Sequence, residues 1–300
     1  MLLAIYFTMG ALAIECQSGE AAASKCTSGK CESVGDTQIC TSCETGNVPV
    51  NGVCIAHGEA TVTGSGCTKA SNGAAVDQDD TQCGKCGNGY FLFKGGCYDA
   101  SKAPGNLICS TIEESAPGMC KTCAPGYFKN PASTGNDATK QSCIACSDET
   151  GANDNTGVAN CATCDPPETP GQNNSPQKAT CTKCDQTKYL KEGACVESSG
   201  CAPDTEFAKQ DSVNGNRCVS CGNTESGVDG CAKCTASSGE STKPTCTECN
   251  NNKIVKMEPS GTSCVEEAAC VDGFFVETVS GTPSKKCTAC ADSNCAVCKK

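Results

Sequence analysis

C-G-K-C-G-N-G-Y-F-L-F-K-G-G-C-Y, running from Cys83 to Tyr98, holds the plan of the chain in one stretch. Two cysteines stand three apart, aromatic residues follow, a glycine turn comes next, and a third cysteine closes the unit. Cys40, Cys43 and Cys54 share the C-x2-C-x10-C spacing of Cys83, Cys86 and Cys97, and so do Cys181, Cys184 and Cys195. Each copy carries a glycine two residues before its last cysteine: Gly52, Gly95 or Gly193. Cys246, Cys249 and Cys264 form a looser copy. An aromatic pair, a glycine turn and a closing cysteine read as a two-stranded hairpin whose aromatics pack over a disulfide. Tyr90 and Phe91, Tyr127 and Phe128, Tyr189, and Phe274 with Phe275 occupy that place; a carbohydrate-stacking platform is the other use such rings could have.

The 33 cysteines among 300 residues exceed the level of roughly 8–10% at which a secreted chain reads as a disulfide scaffold. Beyond residue 13, Leu, Ile, Val and Phe together are no more numerous than the cysteines, and Trp is absent, so one large apolar core is out of reach. Without covalent help this polar composition would stay disordered. A disulfide closing a loop of about 15 residues contributes roughly 3 kcal/mol in the chain-entropy model, and 33 cysteines allow up to sixteen of them. The expected fold is therefore small and disulfide-rich: tandem furin-like or EGF-like modules of short β-hairpins and loops in an elongated array.

The net charge of -11 disfavours nucleic acid and anionic lipid, and Lys and Arg form no basic run. Residues 1–13 form a short apolar run ending in Ala11-Leu12-Ala13, read as a signal peptide cleaved after Ala13. Secretion agrees with the cysteine load, because disulfides persist in oxidising compartments. Residues 14–109 are expected to hold N-terminal cysteine-rich modules, 110–200 central C-x2-C modules and 201–300 C-terminal C-x2-C modules. Asn173 begins the sequon Asn173-Asn174-Ser175 and is a glycosylation candidate. Asp77, Asp79 and Asp80 lack the glycine and terminal glutamate of a calcium loop and read as solvated.

Eleven C-x2-C motifs hold 22 of the cysteines. In the structural reading each cysteine pairs outside its own motif, which makes Cys40, Cys43, Cys54, Cys83, Cys86, Cys97, Cys120, Cys123, Cys181, Cys184, Cys195, Cys246, Cys249 and Cys264 staples. In the competing reading, Cys218, Cys221, Cys231 and Cys234 have the spacing of a four-thiolate zinc site. Thiol-disulfide exchange would need a helix N-terminus in a βαβ unit, for which there is no pattern. His57, the single histidine, stands in the loop A-H-G-E, and no phosphate-binding loop or triad accompanies it, so no enzyme is expected.

The apolar start ending at Ala13, E-C-Q-S-G-E from Glu15 to Glu20, the C-x2-C motifs and Gly95-Gly96-Cys97-Tyr98 together resemble the Giardia variant-specific surface proteins. The resemblance implies a surface coat protein with an extended, protease-resistant ectodomain that varies antigenically and meets host antibodies. It also implies a C-terminal membrane span and a short basic tail. Neither occurs before Lys300, and with the odd cysteine count this points to a piece of a longer chain. Metal binding through cysteines has been proposed for that family, which keeps zinc in view. A receptor-like ectodomain binding a protein or glycan ligand is the alternative from another class.

Overall fold

The computed structural model describes residues 15–135, 137–172, 174–236, 243–279 and 285–291. It is built from hairpins of two to five residues per strand, with one α-helical turn at Ala60–Gly64. Two compact units divide the chain, 1–182 and 183–300. Residues 1–13, read from the sequence as a signal peptide, and Asn173 of the sequon lie outside the described residues.

Fifteen disulfides join described residues, and none closes a C-x2-C on itself. In most motifs the first cysteine bonds backwards and the second forwards: Cys83 to Cys67 and Cys86 to Cys97, Cys120 to Cys109 and Cys123 to Cys143. Two motifs are crossed. Cys161 bonds forward to Cys181 while Cys164 bonds back to Cys146, and Cys231 bonds forward to Cys246 while Cys234 bonds back to Cys221.

The crossing is part of a repeated plan. Within 16–54, 146–195 and 221–264, six cysteines pair first to third, second to fourth and fifth to sixth. The first two bonds of each group interlock their loops, and the third staples a hairpin. That hairpin's first strand then pairs in parallel with the second strand of a later hairpin, giving a four-stranded sheet. Asn47–Val50 lies beside Gly96–Asp99, Tyr189–Lys191 beside Arg217–Ser220, and Ile254–Glu258 beside Lys285–Ala289.

The C-x2-C-x10-C spacing is set by the turn. Asn51 and Gly52 (φ 50° and 80°), Lys94 and Gly95 (46° and 73°), and Glu192 and Gly193 (49° and 77°) each place two residues in succession at positive φ. This is the type I′ geometry whose twist matches the flanking strands, and glycine supplies its second position without steric cost. Phe93 pairs with Gly96 across one such turn. The looser copy turns through Pro259 and Ser260, between the paired residues Glu258 and Gly261, and its strands are longer.

The region 109–146 forms hairpins although its C-x2-C motifs carry no closing cysteine of the C-x2-C-x10-C kind. Cys109–Ile112 pairs with Cys120–Cys123, and Tyr127–Lys129 pairs with Cys143–Ala145 across a long loop. The motif cysteines stand inside these strands, so the hairpin cue of a glycine just before a closing cysteine is missing.

Candidate functional site

The stapled hairpin Tyr90–Phe93 with Gly96–Asp99 is the centre of the first unit, and both of its faces are covered. Side chains alternate along a strand. Tyr90, Leu92 and Cys97 face a cluster with Val48, Val62 and the cystine Cys67–Cys83. Phe91, Phe93 and Tyr98 face the other way, toward Val34, Ile39, Ile108 and the cystine Cys109–Cys120. Tyr98 has no exposed surface, and its ring lies 6.1 Å from Phe91 and 5.8 Å, edge-on, from Phe93. Burial pushes its phenol far up, with Glu32 and Tyr127 adding to the shift. Gly96 is needed here because a Cβ would come within 3.0 Å of Pro49 and of the Tyr98 ring. The family-like tetrapeptide Gly95, Gly96, Cys97, Tyr98 thus encodes a turn, a close strand approach, a staple and a core ring. The aromatics were expected to cover a disulfide. Tyr90 does so beside Cys67–Cys83, and Phe91 and Tyr98 do so on the opposite face, in the cluster with Cys109–Cys120.

The turn of this hairpin reaches across to the loop after Cys146. Lys94 N–H donates to Gln141 Oε1 at 2.8 Å, and Lys94 Nζ lies 2.5 Å from Asp148 Oδ2 and 3.3 Å from Glu32 Oε1. The Asp148 side chain is 7% exposed and that of Lys94 11%. Burial alone would raise the Asp148 carboxyl, but the Lys94 ammonium, the Thr150 hydroxyl and the Gly151 N–H outweigh it and hold the group below its ordinary value. Beside this pair opens a cleft of about 640 Å³ lined by residues 29–34, Phe93, Lys94, Tyr127, Ala145 and Asp148 among others. Tyr127 packs edge-on against Phe93 at 6.0 Å; burial, with Glu32 and Asp148 nearby, pushes its phenol up to about 12.

The staple cysteines named from the sequence all lie in disulfides: Cys40, Cys43, Cys54, Cys83, Cys86, Cys97, Cys120, Cys123, Cys181, Cys184, Cys195, Cys246, Cys249 and Cys264. Neighbouring bonds stack, so that sulfurs of Cys26, Cys40 and Cys54, or of Cys246, Cys249 and Cys264, lie within 4.8 Å of one another. The four cysteines of the zinc set are all spent in disulfides: Cys221 bonds to Cys234 within the set, while Cys218 bonds to Cys201 and Cys231 to Cys246. A zinc site needs thiolates, and these sulfurs are committed to S–S bonds, so the set does not fit the metal in this oxidation state. Asp77 and Asp80, read as solvated, form ion pairs with Lys69 at 2.6 and 3.3 Å. His57 Nδ1 is 3.1 Å from the Gly46 carbonyl oxygen, which ties the ring to its own sheet. Among the described residues no helix is long and apolar enough to cross a membrane.

The sequence reading missed the cleft, because its walls come from six separate stretches of the chain. A usable signal was Lys94, a charged residue at the first position of the tight turn that follows buried Phe93.

A family model described as Giardia variant-specific surface protein matches residues 7–241. Variant-specific surface protein VSP4A1 of Giardia intestinalis is 34% identical over 343 residues, an alignment covering 100% of this chain and 48% of that protein. Major surface-labeled trophozoite antigen 417 of the same organism is 37% identical over 291 residues, covering 90% of this chain and 39% of its own length. Surface antigen CRP170 is 28% identical over 77% of this chain and 72% of its own. The chain therefore spans about half, or less, of the first two relatives. No solved structure matches it.

Proposed function

Because the chain belongs to the Giardia variant-specific surface protein family, a family of surface antigens, we propose that it serves as a unit of a protease-resistant cell-surface coat, membrane-attached in its full form, that meets host antibodies and varies antigenically. One observation carries this reading: disulfides recur so densely that the longest cysteine-free run beyond Cys16 is 124–142, itself enclosed by the bond from Cys123 to Cys143. Proteases cut chain that opens locally, and crosslinks that close short loops reduce the population of opened forms. Polar loops such as 72–80, 131–135 and 222–229 lie between staples, where substitutions would change the surface without touching the bonds. No chemistry is assigned to the cysteines beyond crosslinking, and no catalytic role to His57.

The test is limited trypsin digestion of the secreted chain, oxidised and after reduction with alkylation; the 23 Lys and Arg supply sites throughout. The oxidised chain should stay intact long after the reduced chain has become peptides, and a chelator should leave that resistance unchanged. Equal rates of digestion would overturn the coat reading, and resistance lost on chelation would restore zinc as a structural element.

A further inference from the structure

The C-x2-C motifs bring disulfides together in pairs. At the motifs beginning with Cys40, Cys83, Cys120, Cys181 and Cys246, the two bonds that leave the motif stack, and three of their sulfurs lie within 4.8 Å of one another. In the first four pairs every bond has at least one buried half-cystine. The fifth differs. Among the fifteen bonds between described residues, Cys249–Cys264 alone has neither half-cystine buried, whereas Cys231 and Cys246, joined in the bond stacked on it, are each 2% exposed. Cys264 Sγ touches Cys246 Sγ at 3.6 Å. Cys246 N–H donates to Thr262 Oγ1 at 2.7 Å, which holds the strands of the two cysteines side by side. An accessible disulfide thus rests directly on an enclosed one.

We propose that Cys249–Cys264 is a thiol-exchange site, which takes up a small monothiol covalently and passes the exchange inward to Cys231–Cys246. Both half-cystines are only partly exposed, so access favours a small thiol over a protein one. The incoming thiolate attacks Cys249 Sγ and forms a mixed disulfide there, and Cys264 leaves as a thiolate already in contact with Cys246. Cys264 then attacks Cys246 Sγ, forming a Cys246–Cys264 bond, and the electron pair of the broken bond goes to Cys231. Cys231 lies in the apolar cluster with Phe207, Val219 and Val228, where burial favours the neutral thiol, so it takes up the proton that the incoming thiol gave up. Two disulfides and one thiol enter, and two disulfides and one thiol leave; no oxidant or reductant is consumed. A protonated, enclosed thiol attacks slowly, which disfavours the return. Because Cys231–Cys246 interlocks with Cys221–Cys234, its loss unlocks that group while the other groups keep their bonds. The proposal is independent of the coat reading: protease resistance of the untreated chain can hold while exchange fails.

The experiment exposes the oxidised full chain to free cysteine without air, quenches with acid, alkylates in denaturant and maps peptic peptides by mass. The first product should carry the added cysteine on Cys249, a Cys246–Cys264 bond and one alkylated thiol at Cys231. Exchange at the four buried pairs should be slower by about tenfold or more, since access limits the rate. Removing the entry bond, in Cys249→Ser combined with Cys264→Ser, should slow alkylation of Cys231 by about tenfold or more. Unchanged circular dichroism and an intact Cys231–Cys246 bond check that the variant folds, and the wild-type map carries the test should it not. A first adduct on any other bond, or an alkylated Cys264 beside an intact Cys231–Cys246 bond, would overturn the proposal. So would thiols appearing together at all five pairs, which would mark reduction of opened chain.

Discussion

Two hairpins of the same plan sit in very different surroundings. Tyr90–Phe93 with Gly96–Asp99, stapled by Cys86 and Cys97, is buried on both faces. Phe274–Thr278 with Lys285–Ala289, stapled by Cys270 and Cys287, keeps its two phenylalanines partly exposed. Among the described residues, the buried cluster around it is Ile254, Cys270 and Cys287, with Val265, Phe274 and Val276 packed against it, and Lys256 lies 4.2 Å over the Phe274 ring. Chain entropy treats the two staples almost alike, at roughly 3 kcal/mol each for loops of 11 and 17 residues. What differs is apolar burial. Among the described residues the second hairpin is held by its staple and a small cluster, and the first shows where the chain places its scarce large side chains.

The largest expected effect that separates the two hairpins comes from removing a ring. Tyr98→Ala should destabilise the first unit by about 3–5 kcal/mol, the usual cost of deleting a fully buried aromatic. Phe275→Ala, on a partly exposed face, should cost about 1 kcal/mol. Denaturant unfolding of the oxidised protein, with hydrogen exchange read separately over 90–99 and 274–289, measures both. Similar losses at the two positions would mean that the staples alone carry the fold in both places.

A smaller effect is expected at the turns. Gly95 has φ 73°, and an added Cβ would lie 2.6 Å from Gln82 Nε2, the group that donates to the Thr41 carbonyl at 2.7 Å. Gly95→Ala should cost about 2 kcal/mol through left-handed strain and a displaced hydrogen bond. Ser260→Ala, in the turn of the looser copy, should stay within about 0.5 kcal/mol. The same unfolding assay reads the difference.

These contrasts follow how far the fold was legible beforehand. The hairpins with C-x10-C were readable because a two-residue turn, a glycine and a cysteine have a fixed spacing, and Gly52, Gly95 and Gly193 mark it. The interlocked pairing was not readable: six cysteines allow 15 connectivities, and spacing alone does not choose among them. Parallel pairing of successive hairpins was equally hidden, since Asn47–Val50 and Gly96–Asp99 are separated by a helix and a disulfide loop that share no pattern with the other two copies. Tyr98 was visible as part of a tetrapeptide but not as a core ring, because alternation puts it on the face opposite its own staple. The cleft depends on Glu32, Lys94, Tyr127 and Asp148 meeting in space, which no local pattern announces.

The smallest expected effect concerns acid. Asp148 is buried, which by itself would favour the neutral form, yet its carboxyl is held below the ordinary value of 3.8 by Lys94, Thr150 and Gly151. A carboxyl whose pKa is lower folded than unfolded adds stability above its unfolded pKa and loses it as pH falls through the folded value. Stability of the first unit should therefore be flat from neutral pH down to the ordinary carboxylate range, and fall below it. In the second unit Glu206 is also lowered, first by the Ala202 N–H and then by Lys191, but its side chain is 26% exposed, so water screens the pair and the acid step should be weaker. Unfolding midpoints measured against pH for the wild type and for Asp148→Asn decide the matter. The variant should start less stable at neutral pH and show a shallower acid decline in the first unit; a decline as steep as in the wild type would place the acid sensitivity elsewhere.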